Sequence, residues 1–372
     1  MLFPLKNIRE LTGKLENKKV IVRATLNVPI EDGKIIDDFR IQKFLPTLNF
    51  LIKEKARVII LSHLSKEGAS LLPVFEYLKN SYELSFARNI QEINSNTNQI
   101  TLLNNIRLFK GEKESSPEFT EELSSLGEIY LNEAFPDSHR EHASIIGIPS
   151  KLPSFIGDLF ENELNNLEKI LNPERPFIAI LAGKKASTKI PLIEKMLALA
   201  DEIFIGGALV HNFLITKGKE IGESAHSDKN LINPDWLNNP TIHLPNKFVV
   251  LEQNGKISIK SDVQKNEKIV DTDLDFIETI QKSLNGAQTI FWNGSLGFCE
   301  AGFNQGTKKL AEIIAKARGF SVIGGGDSVS EIKKYGLENK FDFVSTGGGA
   351  TLNFIANKTL PGIEAMLIKR RD

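Results

Sequence analysis

Short β-rich apolar runs recur along the whole chain, and several end in a glycine or polar cluster. In the first half they are KVIVRATLNV (19–28), RVIILSHL (57–64), QITLLNNI (99–106) and EIYLNEAF (128–135). In the second they are PFIAILAG (176–183), DEIFIGG (201–207), QTIFWNG (288–294), SVIGGG (321–326) and FDFVSTGGG (341–349). Amphipathic stretches lie between them, including 41–55, 191–200 and 307–317, with apolar residues at three- and four-residue spacing. Strands alternating with helices predict doubly wound α/β architecture with parallel sheets, in which ligands bind outside the carboxyl ends of the strands.

At 372 residues the chain exceeds one ordinary domain of about 100–200 residues, so two are expected. The segment FIGDLFENELNNLEKIL (155–171) puts Ile156, Leu159, Phe160, Leu164, Leu167 and Ile170 on one helical face before NPERP (172–176) ends it. The expected plan is a first domain over 1–156, a hinge helix over 157–171 and a second domain over 172–357, with a cleft between the domains. Residues 225–270 are polar, Asn-rich and without a clear period, which suits a hairpin or a surface excursion with no assigned chemistry.

A net charge of -1 gives no long-range field to gather nucleic acid or an anionic membrane, so any anion site must be local. The single cysteine, Cys299, excludes an internal disulfide framework and a cysteine-rich zinc site, and it reads as a buried thiol. Lys6, Arg9 and Glu10 interrupt the apolar run at the amino terminus, leaving no continuous stretch for a signal peptide or a membrane span. A cytoplasmic protein is expected.

Basic and amide side chains collect where the first-half strands end: Arg23 and Asn27, then Arg40, His63, Arg107, and the pair His139 and Arg140. Each arginine alone could simply lie over apolar surface. Together, converging guanidinium forks suit a small, multiply charged anion. His139 and His142 are three apart, but no cysteine or carboxylate cluster completes a tetrahedral metal site around them.

In the second half, LAGKKASTK (181–189), IGGAL (205–209), FWNGSLGFCE (291–300), GGGDS (324–328) and STGGGA (345–350) each follow an apolar run. Glycines there let backbone amides approach a phosphate chain or an adenine face. Asp327 after GGG can hold magnesium, which prefers one or two carboxylates plus phosphate oxygens, or can cap the next helix. Lys185 and Lys189 are four apart, so a helix beginning near Ser187 would let both reach one phosphate chain. A Walker A loop and a GxGxxG dinucleotide fingerprint are both absent, which weakens an oxidoreductase reading.

The order of VRATLNVP, IDDFRI, SHL, NNIRLFKGE, LNEAFPDSHREHAS, LAGKKASTK, IGGAL, WNGSLGFCE, GGGDS, STGGGA and LPGI resembles phosphoglycerate kinase nearly end to end. The resemblance implies a hinged, monomeric, glycolytic enzyme that exchanges a phosphoryl group between 1,3-bisphosphoglycerate and ADP, giving 3-phosphoglycerate and ATP, with Mg2+. It implies that the first domain holds the acid phosphate through Arg23, Thr25, Asn27, His63, Lys66, Arg107, His139 and Arg140, while Arg40 meets the transferred phosphoryl group. On the nucleotide side it implies Lys185 and Lys189 at the phosphates, Asp327 at magnesium and Glu300 at the ribose. Asn293, Gly183, Gly206, Gly207, Gly325, Gly326 and Ser328 would complete that site. The amides of Gly347, Gly348 and Gly349 would cradle the group in transfer, and residues 358–372 would pack back on the first domain.

The sequence departs from the family at several positions. Thr25 stands where the family has Asp, a loss of charge that predicts weaker substrate affinity, recovered by Thr25→Asp. Ser65, Lys66 and Glu67 replace Gly-Arg-Pro, Pro136 replaces Gly, Ala208 replaces a glycine of the adenine loop, and Ser295 replaces Pro. Asp271, Thr272, Asp273 and Leu274 stand for Asp-Ile-Gly-Pro. These changes leave two alternatives: a non-catalytic binding protein of the same fold, and a kinase for another small carboxylate.

Overall fold

The structure, a computed structural model, describes residues 3–227 and 231–368. The chain divides into two compact units, 1–165 with 359–372, and 166–358. Residues 1–2 of the expected first domain, 228–230 of the expected second and 369–372 of the expected returning segment lie outside the described residues.

The first unit is built on a six-stranded parallel sheet: β1 (Lys19–Ala24), β2 (Arg57–Leu61), β3 (Leu84–Ala87), β4 (Ile100–Leu103), β5 (Ile129–Glu133) and β6 (Ser154–Ile156). Their order is β3-β4-β2-β1-β5-β6. The central strands read as near-continuous apolar runs because both faces are covered. Val20, Val22, Val58, Ile60 and Leu131 join one core with Phe44, Leu48 and Leu51 of helix α1 (Phe39–Lys53). The chain moves from β1 to one side of the sheet and from β5 to the other, so a crevice opens at the carboxyl ends of this adjacent pair.

The helix expected from 155 begins later. Residues 154–156 form β6 in parallel register with β5, and helix α2 runs Asp158–Leu171. Ile156 is buried as expected, but by the sheet, where its N–H donates to the Lys6 carbonyl. The start of α2 is fixed by Glu133, the last residue of β5. Its carboxylate accepts from the backbone N–H groups of Leu159 and Phe160, both at 3.1 Å, and from the Thr47 hydroxyl. Burial pushes this carboxyl up to about 7, against the pull of those three donors. Glu133→Gln turns an amide NH2 toward one of the two backbone N–H groups, which can only donate, and should destabilise the fold by about 1–3 kcal/mol in denaturant titrations.

The second unit has its own six-stranded parallel sheet: β7 (Phe177–Leu181), β8 (Glu202–Ile205), β9 (Ile242–His243), β13 (Thr289–Asn293), β14 (Phe320–Gly324) and β15 (Phe343–Val344). Between β9 and β13 in the chain, β10 (Phe248–Leu251), β11 (Ile257–Lys260) and β12 (Lys268–Thr272) form a separate antiparallel sheet in the order β11-β10-β12. The region without a clear period is therefore folded as more than a hairpin. The large sheet has the order β9-β8-β7-β13-β14-β15, so its switch point lies between β7 and β13. Helices α3 (Ile190–Leu199), α4 (Leu209–Thr216), α5 (Gln305–Ile314), α6 (Gly326–Lys334) and α7 (Gly349–Asn357) follow the loops that carry the glycine motifs.

Helix α8 (Pro361–Ile368) follows the second unit in the chain yet belongs to the first, where the Gly362 N–H donates to the Ser138 carbonyl at 2.9 Å. A Cβ at Gly362 would come within 2.9 Å of the Ser138 side chain, so this close approach needs glycine.

Candidate active site

At the switch point of the first unit the basic residues do not all point into one open basin. Arg23, at the end of β1, is wholly buried: Nε donates to the Ser144 hydroxyl at 2.9 Å and Nη1 to the Ala24 carbonyl at 2.7 Å. Its Nη2 stands 3.2 Å from His63 Nδ1. A guanidinium only donates, so Nδ1 accepts and the ring proton sits on Nε2. Burial lowers His63 to about 3, so this ring is neutral at ordinary pH.

The His63 Nε2 faces Asp137 Oδ1 at 3.4 Å, and Arg107 Nη2 donates to the same oxygen at 3.2 Å. The Thr25 hydroxyl donates to Oδ2 at 3.0 Å. Burial alone would push the Asp137 carboxyl up, but His63, Arg23 and Arg107 pull it down to about 2, which keeps it ionised. Arg107 Nε is buried with no hydrogen-bond partner. Such a donor marks a place where a ligand can supply the acceptor.

Arg40 stands in the first turn of α1, and its Nη1 donates to the Asn27 carbonyl at 2.7 Å. The Asn27 side chain is tied to Ser65, Nδ2 to the hydroxyl at 2.8 Å and Oδ1 to the N–H at 2.9 Å, which joins the loops after β1 and β2. His139 is half-buried beyond the turn that carries Asp137, while Arg140 and Lys66 are exposed.

In the second unit, Gly183 after β7, Gly207 after β8 and Ser295 after β13 line one pocket with Phe248, Val270, Glu300 and Asp327. The three loops touch backbone to backbone. At Gly207, with φ +57°, a Cβ would stand 2.8 Å from the Gly183 nitrogen and run into the Ser295 carbonyl. No side chain fits there.

The α-helix expected to begin near Ser187 begins instead at Ile190, so Lys185 and Lys189 both precede it. A short turn of 3-10 helix, Ala186–Thr188, separates them, leaving Lys185 exposed and Lys189 buried ahead of α3. Burial lowers the Lys189 ammonium to about 8, partly offset by Asp327. Asp327 sits in the first turn of α6, after Gly325 at φ +100°. Ser328 turns inward, donating to the Gly324 carbonyl at 2.8 Å and accepting from the Gly294 N–H at 3.3 Å, so its hydroxyl holds loops together. Asn293, at the end of β13, is wholly buried, and both its Nδ2 and its Oδ1 lack partners. Glu300 is exposed at the pocket rim, Gly206 packs against Leu296, and Gly348 precedes α7, which opens at Gly349.

Reading the sequence missed Asp137, whose only prior signal was the missing carboxylate at Thr25. It also missed the pocket wall from the antiparallel sheet, Phe248 and Lys268 to Val270, and His211 of α4, whose Nδ1 donates to the Ala225 carbonyl at 2.6 Å. Cys299 is half-buried, with Sγ 3.5 Å from the Thr307 hydroxyl.

Comparison with known proteins bears on the family and the fold. The family profile for phosphoglycerate kinase matches residues 8–358. Phosphoglycerate kinase of Coprothermobacter proteolyticus is 38% identical, over 98% of this chain and 99% of that protein. That of Buchnera aphidicola is 37% identical, over 97% and 98%. Among solved structures, phosphoglycerate kinase from Coxiella burnetii superposes with a TM-score of 0.85 at 32% identity, covering 99% of this chain and all of that one. The Pyrococcus horikoshii enzyme gives the same TM-score at 26% identity. Two parallel-sheet α/β units, the ordered motifs and these relatives together show that the chain belongs to the phosphoglycerate kinase family, phosphotransferases that use a carboxyl group as acceptor.

Proposed function

We propose that the reaction is divided between the units, with 3-phosphoglycerate or 1,3-bisphosphoglycerate at the switch point of the first and ADP or ATP with magnesium at that of the second. The observation that carries the nucleotide half is Asn293, a wholly buried amide with no partner, beside the glycine turn that presents Asp327. In the first unit the unpartnered Arg107 Nε supports an anionic ligand in the same way.

No group of three or more His, Cys, Asp or Glu able to hold a metal occurs among the described residues. That fits a magnesium ion carried by the nucleotide phosphates, with Asp327 as its single protein carboxylate. When bound, the ion neutralises phosphate charge.

In the direction of ATP use, the carboxylate of 3-phosphoglycerate attacks the γ-phosphorus and ADP leaves. The attacking oxygen is already ionised, so no general base is required. Arg40 of the first unit, and Lys185, Lys189 and the amides of Gly348 and Gly349 of the second, are the cations and donors we assign to positioning and neutralising the group in transfer, which is where most of the acceleration arises. Because the two substrates must meet, the proposal includes a hinge motion about α2. It also places the enzyme in glycolysis, as a cytoplasmic monomer with no nucleic-acid partner. No helix among the described residues is long and apolar enough to cross a membrane.

A coupled assay with 3-phosphoglycerate, ATP and magnesium tests the whole reading, and absence of turnover in folded enzyme would sink it. The same assay tests Lys189. Since burial lowers its ammonium to about 8, the free enzyme loses this charge as pH rises through that value. The KM for ATP should rise on the alkaline side, and Lys189→Ala should have a high KM with no such limb.

A further inference from the structure

The loops that follow β1, β2 and β4 meet on one side chain to which the family motifs assign no role. The Asp137 carboxylate, itself beyond β5, receives the Thr25 hydroxyl and Arg107 Nη2 at 3.0 and 3.2 Å, and His63 Nε2 and Arg23 Nη2 stand 3.4 and 3.7 Å away. Both of its oxygens are therefore engaged from inside the protein. Asp137 and Thr25 are each only 4% exposed, so this contact is part of the built site and not a surface pairing.

Three consequences follow from that arrangement. Arg23 and Arg107 approach one another around a shared counter-charge, and without it two guanidinium groups would repel in a poorly solvated setting. With Nη2 fixed on Asp137, Arg107 is held so that its Nε stays without a partner, ready for an acceptor from outside. The Thr25 proton is committed to Asp137, which leaves the Thr25 oxygen as an acceptor whose hydroxyl is polarised by a neighbouring charge.

Thr25 and Asp137 also lie at the two loops that diverge from the switch point, one after β1 and one after β5. Position 25 is where the family motif carries Asp. We propose that Asp137 is a positioning residue of the acid-phosphate site, working as a unit with Thr25, so that the carboxylate of this site is supplied in this chain from position 137. The proposal rests on the reading that the first unit binds 3-phosphoglycerate. It reverses the expectation drawn from sequence that Thr25→Asp would improve affinity, because that change would set two carboxylates side by side.

The test is a reciprocal exchange. Thr25→Asp combined with Asp137→Thr keeps one hydroxyl, one carboxylate and one hydrogen bond in the same contact. Asp137→Thr alone should raise the KM for 3-phosphoglycerate by about 10–100-fold with kcat within about threefold, because Arg107 loses the acceptor that aims it. Thr25→Asp alone should also raise KM. The exchange should return KM to within about threefold of the parent, a rescue that a merely structural role for either residue does not produce.

Asp137→Asn supplies a second, nearly isosteric measurement, since the amide oxygen can still accept from Thr25 while the charge is gone. A raised KM with kcat within about threefold supports the proposal, whether or not the thermal midpoint falls with the lost counter-charge. Parental KM in Asp137→Asn, or an exchange variant no better than Asp137→Thr, would overturn it. If Asp137→Thr does not fold, the exchange and Asp137→Asn decide. Arg40→Ala separates the two layers of the argument: unchanged kcat and KM in that variant would remove the reading of the first unit itself, whatever the exchange shows.

Discussion

Replacing Arg40 with alanine should lower kcat by about 10²–10³-fold at saturating substrates, with the unfolding midpoint little changed. The side chain stands in the first turn of α1, with one nitrogen held by the Asn27 carbonyl. That anchoring matters because charge on a group in transfer is best met by a donor already fixed in place. Arg40→Lys should recover only part of the rate, since an ammonium supplies charge without the planar fork. Steady-state assays of the three proteins decide the point. A loss below tenfold in Arg40→Ala would remove this residue from the transfer step.

Gly294→Ala should be the most damaging single-methyl change in the nucleotide unit. Gly294 follows β13 at φ +96°, and an added Cβ would run into the Ala182 carbonyl and come within 2.9 Å of the Gly183 nitrogen. Both obstacles are backbone of the loop after β7, so no side chain can swing aside. A non-glycine residue is strained at this φ in any case. A loss of about 3 kcal/mol in stability is expected, as for severe overpacking. The KM for ATP should rise in whatever fraction folds, because the displaced Gly183 lines the pocket. Calorimetry and nucleotide titration would check both effects, and a parental profile in each would refute the steric argument.

The large-sheet strands were legible where burial on both faces makes a continuous apolar run, as in β1, β2, β7 and β13. The short strands β3, β6 and β9 were not, because LSFA, SFI and IH carry too few residues to establish a period. Strand β6 was absorbed into the helix that follows, since Ile156 happens to fall in phase with Leu159 and Phe160. The antiparallel sheet was hidden because its outward face is apolar: Ile257 and Ile259 of β11, each more than half exposed, stand opposite Leu251 and Val249 of β10, so no apolar-in, polar-out alternation marks these strands.

At the sites, residue type located the charges but not their orientation. Arg23 faces inward and Lys66 outward, and only side-chain packing distinguishes the two. Asp137 was invisible for a different reason. A lone acidic residue in a loop has no period, and its meaning comes from Thr25, 112 residues earlier.

The placement of α8 has a consequence for how the protein is made. The first unit is interrupted, because its last helix is encoded after the whole of the second. At about 5–20 residues per second, translation of the intervening stretch takes roughly 10–40 s. During that interval the surface that will receive α8, around Ser138, stands uncovered on the nascent chain. The unit synthesised first is thus completed last, and a chain ending at residue 360, once released from the ribosome, should be cut by protease in the first unit while the second resists.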